Sequence, residues 1–343
     1  MTFLGTLGAI LAFILPGSTS IPVPSTAGTG ARAAAVYEPT LAPLRIADIP
    51  PGLPFEPRRA PFTLITREDP IPFAIFFLAA LPGEVLDLRF DPKEERPTLT
   101  YSAGSVSSSH EGGWVWNAPL EPGTYALRVD RSGSGETLFL NVFVLHPHGS
   151  VESGSLNGYT IGAYESTPLG GDSIYLPPPG FIEVSPDEED VLVAPHFTVG
   201  QFLCKQPGEP RYLALSRYLV AKLEAILERS NARGYPAPTL HVMSGFRTPW
   251  YNRSIGNQTV YSRHLWGGAA DIFLDADGDG NMDDLNRDGR STIADAQILF
   301  EIAEWVDTSE HPGTRPGGLG AYKRNSARGP FVHVDARGRS ARW

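Results

Sequence analysis

The sequence predicts an α+β chain, with an all-β region first and a mixed region after it in which helices and a small antiparallel sheet carry a metal site. Three observations predict this. Thirty-six glycines and 32 prolines among 343 residues favour short strands and long loops over a helical bundle. Between Pro61 and Leu145, short apolar runs alternate with turn signals. After Pro195, helical and strand periodicities surround two histidines and an aspartate, His264, Asp271 and His333.

At the start of the chain, Phe3 to Leu15 is an uncharged run of 13 residues. A spanning helix needs about 20. Small residues follow, so residues 1–35 read as an export signal, with Ala33-Ala34-Ala35 as candidate cleavage sites, although no Lys or Arg precedes the run. Left uncleaved, this segment would be the chain's one attachment to a membrane. Residues 36–60 continue a Pro-, Ala-, Thr- and Gly-rich stretch and read as an extended linker. The balance of 28 basic against 38 acidic residues, net −10, lacks the basic footprint that nucleic-acid binding requires. The single cysteine, Cys204, excludes an internal disulfide and leaves the redox compartment undecided. In the apolar run Phe202-Leu203-Cys204 it reads as an inert buried thiol.

Residues 61–148 carry seven candidate strands: Phe62–Thr66, Ala74–Leu78, Val85–Phe90, Thr98–Ser102, Trp114–Asn117, Tyr125–Val129 and Leu138–Leu145. Turn signals such as Pro82-Gly83 and Pro122-Gly123 separate them. This spacing predicts an immunoglobulin-like sandwich without a disulfide, serving as a binding or spacer module. His146-Pro147-His148 reads as an exposed exit turn. Residues 149–194 read as a connector with a stiff proline run, Pro177-Pro178-Pro179, and a solvated acidic turn, Asp187 to Asp190.

In residues 195–343, His196 reads as a structural histidine. Arg211 to Arg233 has Leu215, Leu219, Leu223, Ile226 and Leu227 at helical spacing, with Gly234 as the stop. Thr239 to Met243 is a strand that delivers Ser244-Gly245-Phe246-Arg247, and the Arg247 fork suits a carboxylate. His264 sits on a turn, and Gly267-Gly268 lets the backbone bend into a buried strand, Ala269 to Leu274, that carries Asp271 inward. Phe331-Val332-His333-Val334-Asp335 alternates, so Phe331, His333 and Asp335 share one face of a second strand. His264, Asp271 and His333 thus supply three ligands and leave a fourth position for water, the pattern of a catalytic zinc site. Ile293 to Val306 is an amphipathic helix, and Gly317 to Tyr322 leads to a strand beside Phe331–Asp335.

An acidic insertion, residues 275–295, holds seven Asp against two Arg, half of the chain's net charge. Asp284, Asn286, Asp288 and Asp295 stand at positions 1, 3, 5 and 12 of a calcium loop with Gly289 at position 6. Asp275, Asp277, Asp279 and Asp283 stand at positions 1, 3, 5 and 9 of an overlapping one, with Gly280 at position 6. In the overlapping loop, position 12 is Asn286, which cannot give a bidentate carboxylate. The spacing predicts bound calcium.

The Ser-Gly-Phe-Arg element, the run S-x-H-x-x-G-x-A-x-D from Ser262 to Asp271, and the closing His-Val-Asp resemble the D-alanyl-D-alanine carboxypeptidase family of zinc peptidases, which includes the VanY-like enzymes and shares its fold with the hedgehog signalling domain. The resemblance covers Pro195 to Trp343. It implies zinc on His264, Asp271 and His333, and hydrolysis of stem or cross-link peptides of peptidoglycan by an exported protein, periplasmic or extracellular. It also implies a substrate-orienting Arg247, with Tyr251 and Ser262 lining the site. Many relatives place an Asp or Glu three residues before the last ligand histidine, where this chain has Pro330. Asp335 is then the candidate general base, and it is equally open to a role as a partner of His333 or as a ligand. The alternative is a non-catalytic module, stabilised by zinc and calcium, that binds wall peptide or a protein.

Overall fold

Among the described residues short strands outnumber helices, and several of them are buried along almost their whole length. A computed structural model describes residues 34–90, 97–109, 112–131 and 133–343. Among these residues the fold is mixed α and β, mostly strands in several small sheets, with three α-helices. The export signal expected over residues 1–35 lies outside the described residues except for Ala34 and Ala35.

All seven strands expected between residues 61 and 148 form, within a few residues at each end. They belong to two five-stranded sheets. One sheet buries Leu99, Leu127, Val129, Leu140 and Val142, and the other buries Leu86, Leu88, Trp114 and Trp116. The Trp114 indole donates to Ala34 O at 3.1 Å and so links the two sheets.

The stretch expected as an extended linker is docked instead. Ala34–Tyr37 pairs in parallel with Pro97–Tyr101. The fully buried Asn141 clamps Leu44, accepting from its N–H at 2.8 Å and donating to its carbonyl at 2.8 Å, and also donates to Leu192 O at 2.7 Å. These contacts use main-chain groups, so residues 36–60 need no apolar pattern of their own to be held. The connector is equally integral. Gly180–Val184 joins His146–Pro147 on one side and Arg211–Leu213 on the other in a three-stranded sheet. The acidic turn is paired rather than merely solvated, through Arg45 to Asp190 and Arg211 to Glu189. One apolar cluster therefore runs from Phe62 to Ala336, and the described residues form a single compact unit.

The helix expected from Arg211 begins later. Arg211–Leu213 is taken up as a strand, and α1 spans Arg217–Ala232 with Leu219, Leu223, Ile226 and Leu227 buried. A short α2 spans Pro249–Ser254, capped by the Thr248 side chain. Helix α3, Ile293–Thr308, opens with a capping box in which Thr292 and Asp295 satisfy each other's main-chain donors.

Beside α1 and α3 lies the sheet that matters for the site. Its order is His241–Ser244, Ala269–Phe273, Phe331–Asp335, Gly318–Tyr322, Ala341–Arg342. The first four strands pair antiparallel and the last pairs in parallel. A buried ion pair ties the helices to this sheet. Lys222 of α1, 1 % exposed, reaches Asp307 of α3 at 2.5 Å and donates to Asp335 O at 2.8 Å. Asp307 also accepts from Gly317 N–H and from Arg342.

Removing one member of such a pair strands a buried charge. Asp307→Ala should cost about 3–5 kcal/mol of stability, read from the midpoint and slope of urea unfolding. A loss below about 1 kcal/mol would show that Lys222 is not held by Asp307 in this way.

Candidate metal centre

The site is assembled from two paired strands and one turn. Asp271 and His333 are direct cross-strand partners in the antiparallel pair of Ala269–Phe273 with Phe331–Asp335, so their side chains emerge side by side on one face. His264 comes from a one-turn helix, Arg263–Trp266, that ends at Gly267 in the left-handed conformation, φ 60°. A Cβ at Gly267 would stand 1.9 Å from Ala214 O, so only glycine lets this turn pack against the chain leading into α1. The Ser-Gly-Phe-Arg segment closes the assembly. Arg247 N–H donates to His264 O at 3.1 Å, and Gly245 O bonds His264 Nδ1 at 2.7 Å.

The three donors converge. His264 Nε2 and His333 Nδ1 are 3.3 Å apart, His333 Nδ1 and Asp271 Oδ1 2.9 Å, and His264 Nε2 and Asp271 Oδ1 3.4 Å. Neighbouring ligands of a tetrahedral ion with bonds of about 2.0–2.1 Å lie roughly 3.3 Å apart. Two of the three edges match that spacing and the His333–Asp271 edge is shorter, and the donor set of two imidazoles and a carboxylate suits a transition metal ion.

The surroundings orient each ligand. Gly245 O fixes the His264 tautomer, leaving Nε2 for the metal. Arg247 donates from Nη2 to Asp271 Oδ2 at 2.8 Å and from Nε to Ser244 at 2.9 Å, which leaves Asp271 Oδ1 to the centre. Burial pushes the His264 pKa down, which favours the neutral ring that a metal would require. Burial alone would raise the Asp271 carboxyl, but the two histidines hold it well below the usual carboxylate range. Burial also works against a charged His333, yet its bonds to Asp271 and Asp335 raise its pKa.

Asp335 stands behind this centre. Its Oδ2 is 3.5 Å from His333 Nε2, the ring nitrogen not used at the triangle. The carboxylate is fully buried and accepts from Gly318 N–H and from the Arg337 main chain and guanidinium. Burial would raise its pKa, but His333, Arg337 and Gly318 hold it far below the ordinary value. The carboxylate is absent from the cleft lining, so it does not face a water at the triangle. Of the three roles open to Asp335, the geometry fits a positioning partner of His333.

The triangle lies in a cleft of about 810 Å³ lined by Arg247, Ser262, Arg263, Tyr261, Tyr322, Arg328, Phe331, Arg337 and Trp343 among others. Ser262 thus lines the cleft as expected. Tyr251 does not; it packs against the main apolar cluster from α2. Asn252, its neighbour, is buried as well. Trp343, which the sequence reading did not single out, sits 5.3 Å from the His333 ring and is held against Tyr322. Nothing in its spacing pointed there, since Ala341–Arg342 joins the sheet by main-chain pairing. His196 lies outside the cleft, bonded to Glu224 at 2.9 Å and stacked on Phe55. Burial raises the Cys204 thiol pKa, consistent with an inert side chain.

The acidic insertion divides differently from the sequence pattern. Asp275, Asp277 and Asp283 bring carboxylate oxygens within 4.8 Å of one another. In the second loop Asp284, Asp288 and Asp295 form no such group among the described residues. Asp295 is fully buried, with Oδ1 accepting from Leu285 and Asn286 N–H and Oδ2 from Thr292 N–H. Asp284 accepts from Asp288 and Gly289 N–H, and Asn286 and Asp288 bond each other. Asp279 accepts from Asn281 N–H at 2.7 Å.

Comparison with known proteins returned no matching family model, curated protein or solved structure.

Two outcomes are expected. His264→Ala and His333→Ala should each abolish a stoichiometric transition metal measured by elemental analysis, while full occupancy in both would show that the triangle does not bind it. Asp335→Asn should retain the metal but weaken it about 10–100-fold, as loss of a ligand's supporting partner does. Complete loss of metal would instead put Asp335 in the coordination shell.

Proposed function

We propose that residues 195–343 form a zinc peptidase domain of the D-alanyl-D-alanine carboxypeptidase type, acting on stem or cross-link peptides of peptidoglycan as a D,D-carboxypeptidase or endopeptidase. The chain would be exported to reach that substrate. The observation that carries the reading is the His264–Asp271–His333 triangle set in a cleft with Arg247 against it. Zinc held there would polarise the scissile carbonyl and bring the pKa of a coordinated water towards neutrality.

The chain's own residues supply orientation. Arg247 spends Nε and Nη2 on Ser244 and Asp271, and its Nη1 has no acceptor among the described residues. That leaves one face of the fork for a substrate carboxylate or carbonyl. Arg328, exposed and stacked over Phe331, adds a second positive charge at the cleft. Tyr261, Tyr322, Phe331 and Trp343 offer apolar walls for the substrate's side chains. His333 is kept in register by Asp335 at one nitrogen, so its other nitrogen remains fixed at the centre. The two sheets between residues 34 and 147 support reading that region as an immunoglobulin-like spacer or wall-binding module.

One observation favours a second reading. Among the described residues lining the cleft, Asp271 is the one side-chain carboxylate, so no second carboxylate side chain faces the substrate as a general base. A non-catalytic module that grips wall peptide would have this composition.

Digestion of purified peptidoglycan separates the two. The peptidase should release peptide changes without cutting glycan, seen by mass spectrometry, stop when a chelator is added and resume with zinc. Arg247→Ala should keep its metal and lose turnover by roughly 10²-fold, the scale of a misplaced substrate. Zinc-loaded protein that sediments with the wall yet changes no bond would establish the binding module.

A further inference from the structure

We infer that the first acidic loop, Asp275 to Asp283, is a calcium site, and that the second loop, closed by its own hydrogen bonds to Asp295, is not. This inference stands independently of the peptidase reading, because none of its residues lines the cleft.

Three observations converge. Asp275, Asp277 and Asp283 gather carboxylate oxygens within 4.8 Å of one another. The Asp275 side chain is only 6 % exposed, and its Oδ1 is buried with no hydrogen-bond partner. Its other oxygen accepts from Gly280 N–H at 3.1 Å and lies 3.4 Å from His241 Nδ1. A buried carboxylate oxygen without a donor has lost its water and gained nothing in return, which a cation would repair. The loop is also fixed at both ends, since Asp283 N–H donates to Leu274 O at 2.9 Å and Asp283 Oδ2 accepts from Ala276 N–H at 3.0 Å.

The ligand class follows from the donors. They are all oxygens, so a hard cation is favoured over a thiophilic or imidazole-seeking one. In calcium-loop spacing, Asp275, Asp277, Asp279 and Asp283 occupy positions 1, 3, 5 and 9, and the position 7 carbonyl falls to Asn281. An exposed loop of this kind offers the several irregular oxygens that calcium accepts, whereas magnesium demands near-ideal octahedral geometry. The second loop lacks such a cluster because Asp295 has turned its carboxylate to the Leu285, Asn286 and Thr292 main chain, where it caps α3 and holds the loop against it.

Calcium titration of the full-length, zinc-loaded chain in calcium-free buffer tests this. We expect one calcium per chain by calorimetry and a melting temperature that climbs with calcium concentration. Asp277→Asn, at an exposed position whose change should not disturb folding, should weaken binding by at least about tenfold, since ligand charge sets calcium affinity. Asp288→Asn in the second loop should bind as the parent does. Absence of heat and of any melting shift up to about 10 mM calcium, above the weak end of known calcium modules, would overturn the inference. So would binding that survives Asp277→Asn but disappears in Asp288→Asn, or equal affinity for magnesium.

Discussion

The register of one strand pair governs the candidate centre. Asp271 faces His333 across an antiparallel ladder, and the side-chain period of a strand is two. A slip of one residue in either strand would turn its side chain at the site to the other face and bring Ile272 or Val332 there. The same alternation buries Ala270 and Ile272 on one strand and Val332 and Val334 on the other, so a slip would also displace two core side chains. Packing and ligand geometry are thus set by a single constraint. Neither Asp271 nor His333 has to be steered individually once the ladder forms.

The third ligand needs a different device, because it does not belong to the ladder. His264 arrives on a turn whose exit requires the left-handed backbone of Gly267, and its own ring is latched to Gly245 O. Gly245 has the same kind of restriction, since a Cβ there would meet the Phe202 backbone at 2.7 Å. Close approach of bare backbone on two sides therefore sets the ring. On the far side of the sheet, Lys222 grips Asp307 and the Asp335 carbonyl, fixing the end of the strand that carries His333. A buried ion pair is poor evidence of net stability, but its directional bonds tie α1, α3 and the strand into one arrangement.

The three converging residues and the strands that carry two of them were legible in the sequence because each rests on local pattern. Phe331 to Asp335 alternates, Gly267-Gly268 marks a bend, and the apolar run after it reads as buried. What escaped depends on contacts distant in sequence. Residues 36–60 look like a linker because their anchor is Asn141, about 100 residues away, acting on main-chain groups. Arg211–Leu213 has a helical continuation in sequence, yet the Gly180–Val184 strand claims it. Tyr251 lies four residues after Arg247, but α2 turns it to the core rather than the cleft. Asp335 shares its strand face with His333, as alternation requires, and that pattern says nothing of the Arg337 and Gly318 donors that close it off from solvent.

The placement of charge along one stretch of chain completes the picture. Asp271 and Asp275 are four residues apart, so at about 3.3 Å per residue they lie on the order of 13 Å from each other. The cleft on the Asp271 side is lined by Arg247, Arg263, Arg328 and Arg337, whereas the loop beyond Asp275 carries the clustered carboxylates. Were those carboxylates to face the cleft, they would compete for any metal held by the triangle and repel an anionic ligand. The strand keeps them apart by more than a Debye length of about 8 Å at physiological salt. Positive and negative regions are therefore separated by ordinary strand geometry, and a chain of net charge −10 can still present a cationic cleft.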